Sequence, residues 1–256
     1  QENYYAIPLL GYKGQDGIQK LRSFIKLGLV EGFIIINRCY DAEIDAYLTE
    51  IGIPHIYLIY FSRNTEHQAP VVDTDNFLAG YLAAQHLIAL GHRTFAALTS
   101  PWDEFRERTQ GFCSALRDNG LSISPEYILK GNCYYDEAYA LVCEHLPILQ
   151  KVTAVFGQCD VVAMGAVNAL QDHGILVPRD ISVIGLDGLE LGTAIRPQIT
   201  TVAQPFEHLA RVSVENLLEL ANSSSKRIIK TKTLLLPELL IRESTAPPFQ
   251  GASPIR

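Results

Sequence analysis

The sequence lacks the usual marks of an enzyme, a membrane protein or a disulfide-stapled fold. It has no G-x-G-x-x-G, P-loop, G-x-S-x-G or H-E-x-x-H pattern, and its 7 histidines never take metal-ligand spacing, so no catalytic or cofactor motif supports an enzyme reading. Acidic neighbours such as Asp103 and Glu104 are the stock of glycosidase chemistry, but on a helix-opening turn they read as solvated surface. No apolar run approaches the roughly 20 residues that cross a bilayer, and no charged segment followed by an apolar core opens the chain. Cysteine is sparse: Cys39, Cys113, Cys133, Cys143 and Cys159 are odd in number, scattered and never in a C-x-x-C pair. That fits neither a disulfide framework nor a zinc site, and a reducing compartment is the simplest inference. Basic residues are outnumbered, 21 against 28 acidic, for a net charge of -7. Clustered Lys and Arg are what phosphate binding needs, so the chain does not hold nucleic acid by itself.

What remains is an ordinary globular composition: 256 residues, 48% apolar and 19% charged, enough for one large or two modest cores. Strand-length apolar runs recur at Ala6–Leu10, Gly32–Ile36, Ile53–Ile59, Phe95–Leu98, Ala154–Phe156 and Ile181–Leu186, with helix-period segments between most of them. That alternation predicts an α/β fold with mostly parallel sheets. After Asp75, the residues Ala79, Leu82, Ala83, His86, Leu87 and Leu90 share one helical stripe, and Gly91 is placed as its stop. Ala163, Ala166, Val167 and Leu170 repeat the pattern, ending at Gly174. His86, on an apolar stripe, reads as a core histidine with a satisfied hydrogen bond. The cluster from Asn222 to Arg227 reads as a surface loop, and the Pro/Gly/Ser-rich tail from Ala246 to Arg256 is expected to fray.

The run from Val177 to Asp187 is the most telling. Pro178 and Asp180 mark a turn, Ile181–Leu186 reads as a strand packed on both faces, and Asp187 lands just past its C-terminal end, where open α/β sheets bind ligands. Asp187 is either a turn-forming residue or a ligand contact. Arg106 and Arg108 lie in a segment that follows a strand and opens a helix. They either belong to a solvated helix start or offer a guanidinium fork able to donate two parallel hydrogen bonds to hydroxyls, a carboxylate or a phosphate. Trp102, the only tryptophan, is either a stacking wall for a sugar face or a packing residue.

From about Gly28 to Pro247 the chain resembles the effector-binding and dimerisation core of the LacI/GalR family. The matching segments are "GLVEGFII", "GIPHIYLI", "VDTDN", "HLIALGHR", "RTQGFCSAL", "DVVAMGAVNALQDHGILVPRDISVIGLD", "ITTVAQP" and an ending of the form "LLPxxLxxRxST" at Leu235–Thr245. The resemblance implies two Rossmann-like, doubly wound parallel-sheet subdomains of the type I periplasmic-binding-protein-like kind, joined by three crossovers near Leu90, Ala203 and Leu235. Residues 1–90 plus 204–234 would form the first and 91–203 plus 235–256 the second, with a ligand in the cleft between them. Tyr4–Leu10 aligns with the family's second strand. The first strand and helix, the helix-turn-helix headpiece and the hinge helix therefore have no counterpart here, and the chain is expected to be a fragment.

The resemblance also assigns candidate ligand contacts. Arg108, three residues before Gly111, matches the family's ligand-contacting arginine, and Asp187 its aspartate, although Gly188 stands where many members carry a second polar side chain. Asp160, in "FGQCD", is either a ligand contact or a helix N-cap. Cys159 replaces an asparagine that often binds sugar hydroxyls. Cys133 stands where an aromatic residue often walls the pocket, with Tyr134 or Tyr135 as a substitute. Gln204 matches a glutamine at a crossing. Asp75 matches the acidic residue of "VDxDN" or caps the helix that follows. No cofactor or metal is implied. The expected function is the effector-sensing and dimerisation core of a cytoplasmic DNA-binding repressor-type regulator. It would bind a small-molecule effector, a carbohydrate first of all, and would contact operator DNA as a homodimer through a headpiece outside this chain. The alternative is a periplasmic sugar-binding protein of a transporter, which would work as a monomer; an enzyme of sugar processing comes third.

Overall fold

A computed structural model describes residues 4–9, 14–28, 30–36, 42–59, 69–222 and 231–249. In chain order the helices and strands are α1 (Gly14–Lys26), β1 (Phe33–Ile36), α2 (Ala42–Glu50), β2 (His55–Leu58), β3 (Val71–Thr74), α3 (Asn76–Ala89), β4 (Phe95–Thr99) and α4 (Asp103–Asp118). There follow β5 (Ile128–Lys130), α5 (Tyr135–Glu144), α6 (Leu146–Leu149), β6 (Ala154–Gly157), α7 (Asp160–Asp172), β7 (Ser182–Asp187), β8 (Thr200–Ala203), α8 (Phe206–Asn222), β9 (Lys232–Leu235) and β10 (Glu238–Leu240). The chain folds into two compact units, residues 1–73 with 207–233 and residues 74–206 with 234–256.

The first unit carries a sheet of order β1-β2-β3-β9, in which β1, β2 and β3 run parallel. Ile18 on α1 and Ile44 and Leu48 on α2 form a small buried cluster against the sheet residues Phe33 and Ile35. The second unit holds a six-stranded sheet of order β10-β8-β7-β6-β4-β5, parallel except for β10 on β8. Its strands β4, β6, β7 and β8 are buried on both faces, as parallel strands covered by helices must be. On one face Ala138, Val142, Ala163, Val167 and Leu170 pack on Val155 and Val183. On the other, Ala79, Ala83, Leu87, Phe112 and Leu116 pack on Phe95, Phe156 and Ile184. Phe112 lies edge-on to Phe95 and stacks on Phe156 at 5.0 Å.

Local chemistry sets the helix ends. The Asp75 carboxylate accepts the Leu78 amide at 2.8 Å and starts α3, meeting one of the amides a helix start leaves unpaired. At the other end Gly91, with φ 101°, lets its own amide reach the Ile88 carbonyl and the His92 amide reach Leu87, a Schellman stop. Gly174, at φ 77°, closes α7 in the same way through Gln171 and Leu170. His86 is buried and its Nε2 meets the Thr245 hydroxyl at 2.9 Å, the satisfied core histidine that its position on the stripe suggests.

Three expectations differ from the structure. The described part of the Ala6–Leu10 run forms no strand, and Tyr5 and Ile7 stand exposed, because apolar alternation becomes a strand only where a sheet edge pairs it. The passage between units falls after Asp73 and not near Leu90, because α3 packs along α4 inside the second unit. A Cβ on Gly80 would overlap the Arg108 carbonyl, and one on Gly111 the Phe77 carbonyl. The tail does not fray at Ala246: its amide and carbonyl both bond the Ser182 hydroxyl, and the carbonyl also meets His92. The loop expected from Asn222 to Arg227 lies beyond Asn222 outside the described residues.

The glycine crossing gives a direct test. Gly80→Ala and Gly111→Ala put a methyl into a backbone carbonyl of the facing helix, so each should cost at least about 3 kcal/mol, the upper end of ordinary overpacking. Gly174→Ala meets nothing within 4 Å and has only its positive φ to overcome, about 1–2 kcal/mol. Urea unfolding of the three variants should show that order; equal losses would mean that the helices do not touch as described.

Candidate functional site

The C-terminal ends of β4, β6, β7 and β8 bring most of the candidate residues together within the second unit. Arg108 projects from α4 and is buried, 3% exposed. Its Nε donates to Asn76 Oδ1 on α3 at 2.8 Å, one Nη to the Gln158 carbonyl just past β6, and the other Nη lies 3.5 Å from Asp187 Oδ1. That last distance is ionic contact, longer than the about 2.7–2.9 Å of a charge-assisted hydrogen bond. The guanidinium also lies over the Phe105 ring at 5.2 Å, a cation–π contact.

Asp187 ends β7 with φ 126°, a left-handed conformation that side chains rarely adopt. Such a residue costs of order 1–3 kcal/mol and persists only where its surroundings hold it. Gln204 supplies that hold, donating from its backbone amide to the Asp187 carbonyl at 3.1 Å and from Nε2 to Oδ1 at 2.7 Å. The Gln204 amide is oriented in turn by the Thr74 hydroxyl, which donates to Oε1 at 2.8 Å. Behind Arg108, Gln158 is fully buried, accepting from Thr99 at 3.0 Å and donating to Thr109 at 2.7 Å. The edge is thus a continuous polar relay running from Thr74 through Gln204, Asp187 and Arg108 to Asn76 and Gln158.

The remaining candidates fall elsewhere. Asp75 is spent as the α3 cap. Asp160 is fully buried and occupies the first position of α7, after the N-cap residue Cys159. Its carboxylate does not cap the helix but accepts the Thr201 hydroxyl and the Leu189 amide, both at 2.6 Å. It therefore pins the loop after β7. Trp102 is half-buried at the start of α4 and packs against the core. Tyr134 is 63% exposed just before α5. Asn76, Gln158, Thr74 and Thr201 were not singled out by the sequence. All four lie inside the quoted segments "VDTDN", "FGQCD" and "ITTVAQP", but polar side chains of this kind carry no spacing signature. Among the described residues no group of His, Cys, Asp or Glu is arranged to hold a metal ion, and no helix is long and apolar enough to cross a membrane.

Residues 84–245 match the family model described as a periplasmic binding protein-like domain. The chain is similar to catabolite control protein A of Priestia megaterium, 30% identical over 220 residues covering 84% of this chain and 65% of that relative's own length. It therefore spans just under two thirds of that protein. Among solved structures it is similar to a LacI family transcriptional regulator from Enterococcus faecium with bound ribose, at TM-score 0.77 and 30% identity, covering 90% of this chain and 84% of the other. It is also similar to a transcriptional regulator CelR–cellobiose complex, at TM-score 0.79 and 28% identity, covering 90% and 71%.

Burial raises the Asp160 pKa to about 6 from 3.8, with the Asp187 charge adding to it and the Thr201 and Leu189 hydrogen bonds opposing it. A raised carboxyl pKa stabilises the fold fully below the unfolded value of 3.8, and that contribution is lost as pH rises through about 6. Asp160→Asn carries no charge to bury. Its stability relative to the native chain should therefore climb by on the order of 3 kcal/mol between about pH 4 and pH 7. Burial lowers the pKa of His86 and His92, which works in the opposite sense but is common to both proteins and cancels in the difference. A difference that stays flat in urea unfolding across this window would show that Asp160 titrates as an ordinary carboxyl.

Proposed function

We propose, from the premise that this chain belongs to the LacI/GalR family of periplasmic binding protein-like domains, that it is the effector-sensing core of a transcriptional regulator and that its effector is a sugar or sugar derivative. The observation that carries the reading is the meeting of a buried guanidinium, Arg108, with a conformationally strained carboxylate, Asp187, at the C-terminal edge of a parallel sheet. A hydroxylated ligand there accepts from the arginine fork and donates to the aspartate, so neighbouring hydroxyls are gripped by opposite hydrogen-bonding senses. The ribose and cellobiose named with two relatives have that chemistry. Gln204 and Asn76 fix the two charged groups before the ligand arrives, which lowers the ordering cost of binding.

In this reading the effector prefers one of two states of the regulator and shifts DNA affinity by its differential affinity for them, typically about 1–3 kcal/mol. DNA contact belongs to a headpiece outside this chain, in keeping with the net charge of -7. Two headpieces on two half-sites call for a homodimer, and action on DNA calls for the cytoplasm. The relatives are regulators and not transport carriers, which weighs against the periplasmic alternative.

Thermal-shift screening against ribose, cellobiose, other sugars, sugar phosphates and nucleobases tests the class. A ligand at about 100 times its Kd should stabilise the protein by about 2.7 kcal/mol. Arg108→Lys keeps the charge but loses the fork, and calorimetry should show at least a tenfold weaker Kd for the same ligand. Stabilisation by nucleobases alone would overturn the sugar reading, and an unchanged Kd in Arg108→Lys would remove the arginine from the site.

A further inference from the structure

The strained carboxylate of Asp187 is tethered from two sides. Gln204, just past β8, holds its carbonyl and its side chain. The chain that leaves Asp187 is held separately, from α7 and β8. The Gly188 amide donates to the Thr201 hydroxyl oxygen at 3.3 Å, and that hydroxyl donates to Asp160 Oδ1 at 2.6 Å. The Leu189 amide donates to Asp160 Oδ2 at 2.6 Å. Both oxygens of a fully buried carboxylate are thus used on the two residues that follow Asp187, one directly and one through Thr201.

The sequence leaves room for this reach. Asp160 is the first residue of α7, yet its carboxylate crosses to the loop after β7. Gly185 on β7 lets it pass, since a Cβ there would overlap Asp160 Oδ1. Gly188 turns at φ 80° against Ala203, whose Cβ a side chain at 188 would strike. Two missing side chains therefore allow the chain to turn tightly behind Asp187 and allow the buried carboxylate to fasten it there.

We infer that Asp160 is a positioning residue for effector binding, which touches no effector itself and keeps Asp187 in its binding conformation by fastening Gly188 and Leu189. The inference rests on the reading of Asp187 as an effector contact. At φ 126° Asp187 holds a conformation that its surroundings must impose. A residue freed from such a constraint leaves it in part of the population, and the apparent Kd rises by the reciprocal of the fraction that stays competent. The tether therefore acts on affinity from behind the site. Its chemistry also says which substitutions keep it. An asparagine can accept the Leu189 amide with its oxygen and donate its NH2 to the Thr201 oxygen, whereas a leucine has the branched shape of aspartate and accepts nothing.

Native protein, Asp160→Leu and Asp160→Asn are first compared without effector, by amide hydrogen exchange followed by NMR. In Asp160→Leu the Leu189 amide should exchange at least about tenfold faster, while the amides within β6 and β7 keep their native rates. Asp160→Asn should keep Leu189 protected. Calorimetry with ribose and with cellobiose, at a temperature where every variant is folded, then reads the site. For a sugar that binds the native protein, Kd should weaken at least about tenfold in Asp160→Leu and stay within about threefold in Asp160→Asn, whereas a purely structural role would leave Kd unchanged in both. Thr201→Val cuts the other arm of the tether, should release the Gly188 amide and weaken Kd in the same direction, and takes the place of the leucine variant if that variant does not fold. An unchanged exchange rate at Leu189 in Asp160→Leu, or a released loop with an unchanged Kd, would overturn the inference. A released loop in a protein that binds neither sugar supports the tether and counts against the sugar reading, so the two failures are told apart.

Discussion

A guanidinium that is 3% exposed must be answered on every side, because a buried charge left unpaired costs several kcal/mol. The second unit is arranged around that requirement. The arginine rides on α4, and its acceptors come from three other places: the start of α3, the end of β6 and the end of β7. These groups coincide only if α4 lies close against α3. Gly80 and Gly111 permit that approach, and the backbone carbonyl packed on Gly80 is that of Arg108 itself. The helix crossing and the buried charge are therefore one constraint, and the strand ends are fixed relative to the helices by the same hydrogen bonds that satisfy the arginine.

Under the sugar-binding reading proposed above, the site is already satisfied before a ligand comes. An effector that reaches Arg108 or Asp187 exchanges one set of hydrogen bonds for another, and such exchange is nearly neutral. Affinity then depends on what the ligand adds and on how little must be ordered. Directionality does much of the selecting. The Thr74 hydroxyl donates to Gln204 Oε1, which turns the Gln204 NH2 toward Asp187. Asp187 thus stays an acceptor and Arg108 a donor, so a ligand needs both kinds of group close together, as vicinal hydroxyls have and a hydrocarbon lacks.

The α/β alternation, the α3 cap at Asp75, the stops at Gly91 and Gly174, and the strand ending at Asp187 were legible because each rests on a local signal a few residues long. The meeting of Arg108 with Asp187 was legible only through the family resemblance, since no spacing rule joins residues so far apart. Ala6–Leu10 misled because strand pattern says nothing about whether a partner edge exists. The capping alternative for Asp160 failed because sequence cannot tell a carboxylate at a helix start from one bent back onto Thr201 and Leu189.

The two edges of the six-stranded sheet are used differently. At the N-terminal edge, Ser244 is fully buried, accepts the Thr200 amide and donates to the Val183 carbonyl. Arg242 donates to the Ile199 carbonyl, Thr245 meets His86, and Ala246 meets Ser182 and His92. That strap leaves the edge with its polar groups answered by the chain itself, which stabilises β7 and β8 from below. The opposite edge, with Thr99, Gln158, Asp187 and Gln204, carries the strained backbone and the ionic contact. Strain of that order is tolerated only on strands anchored elsewhere. The "RxST" ending thus secures the near ends of β7 and β8, while Gln204 holds Asp187 at the far end.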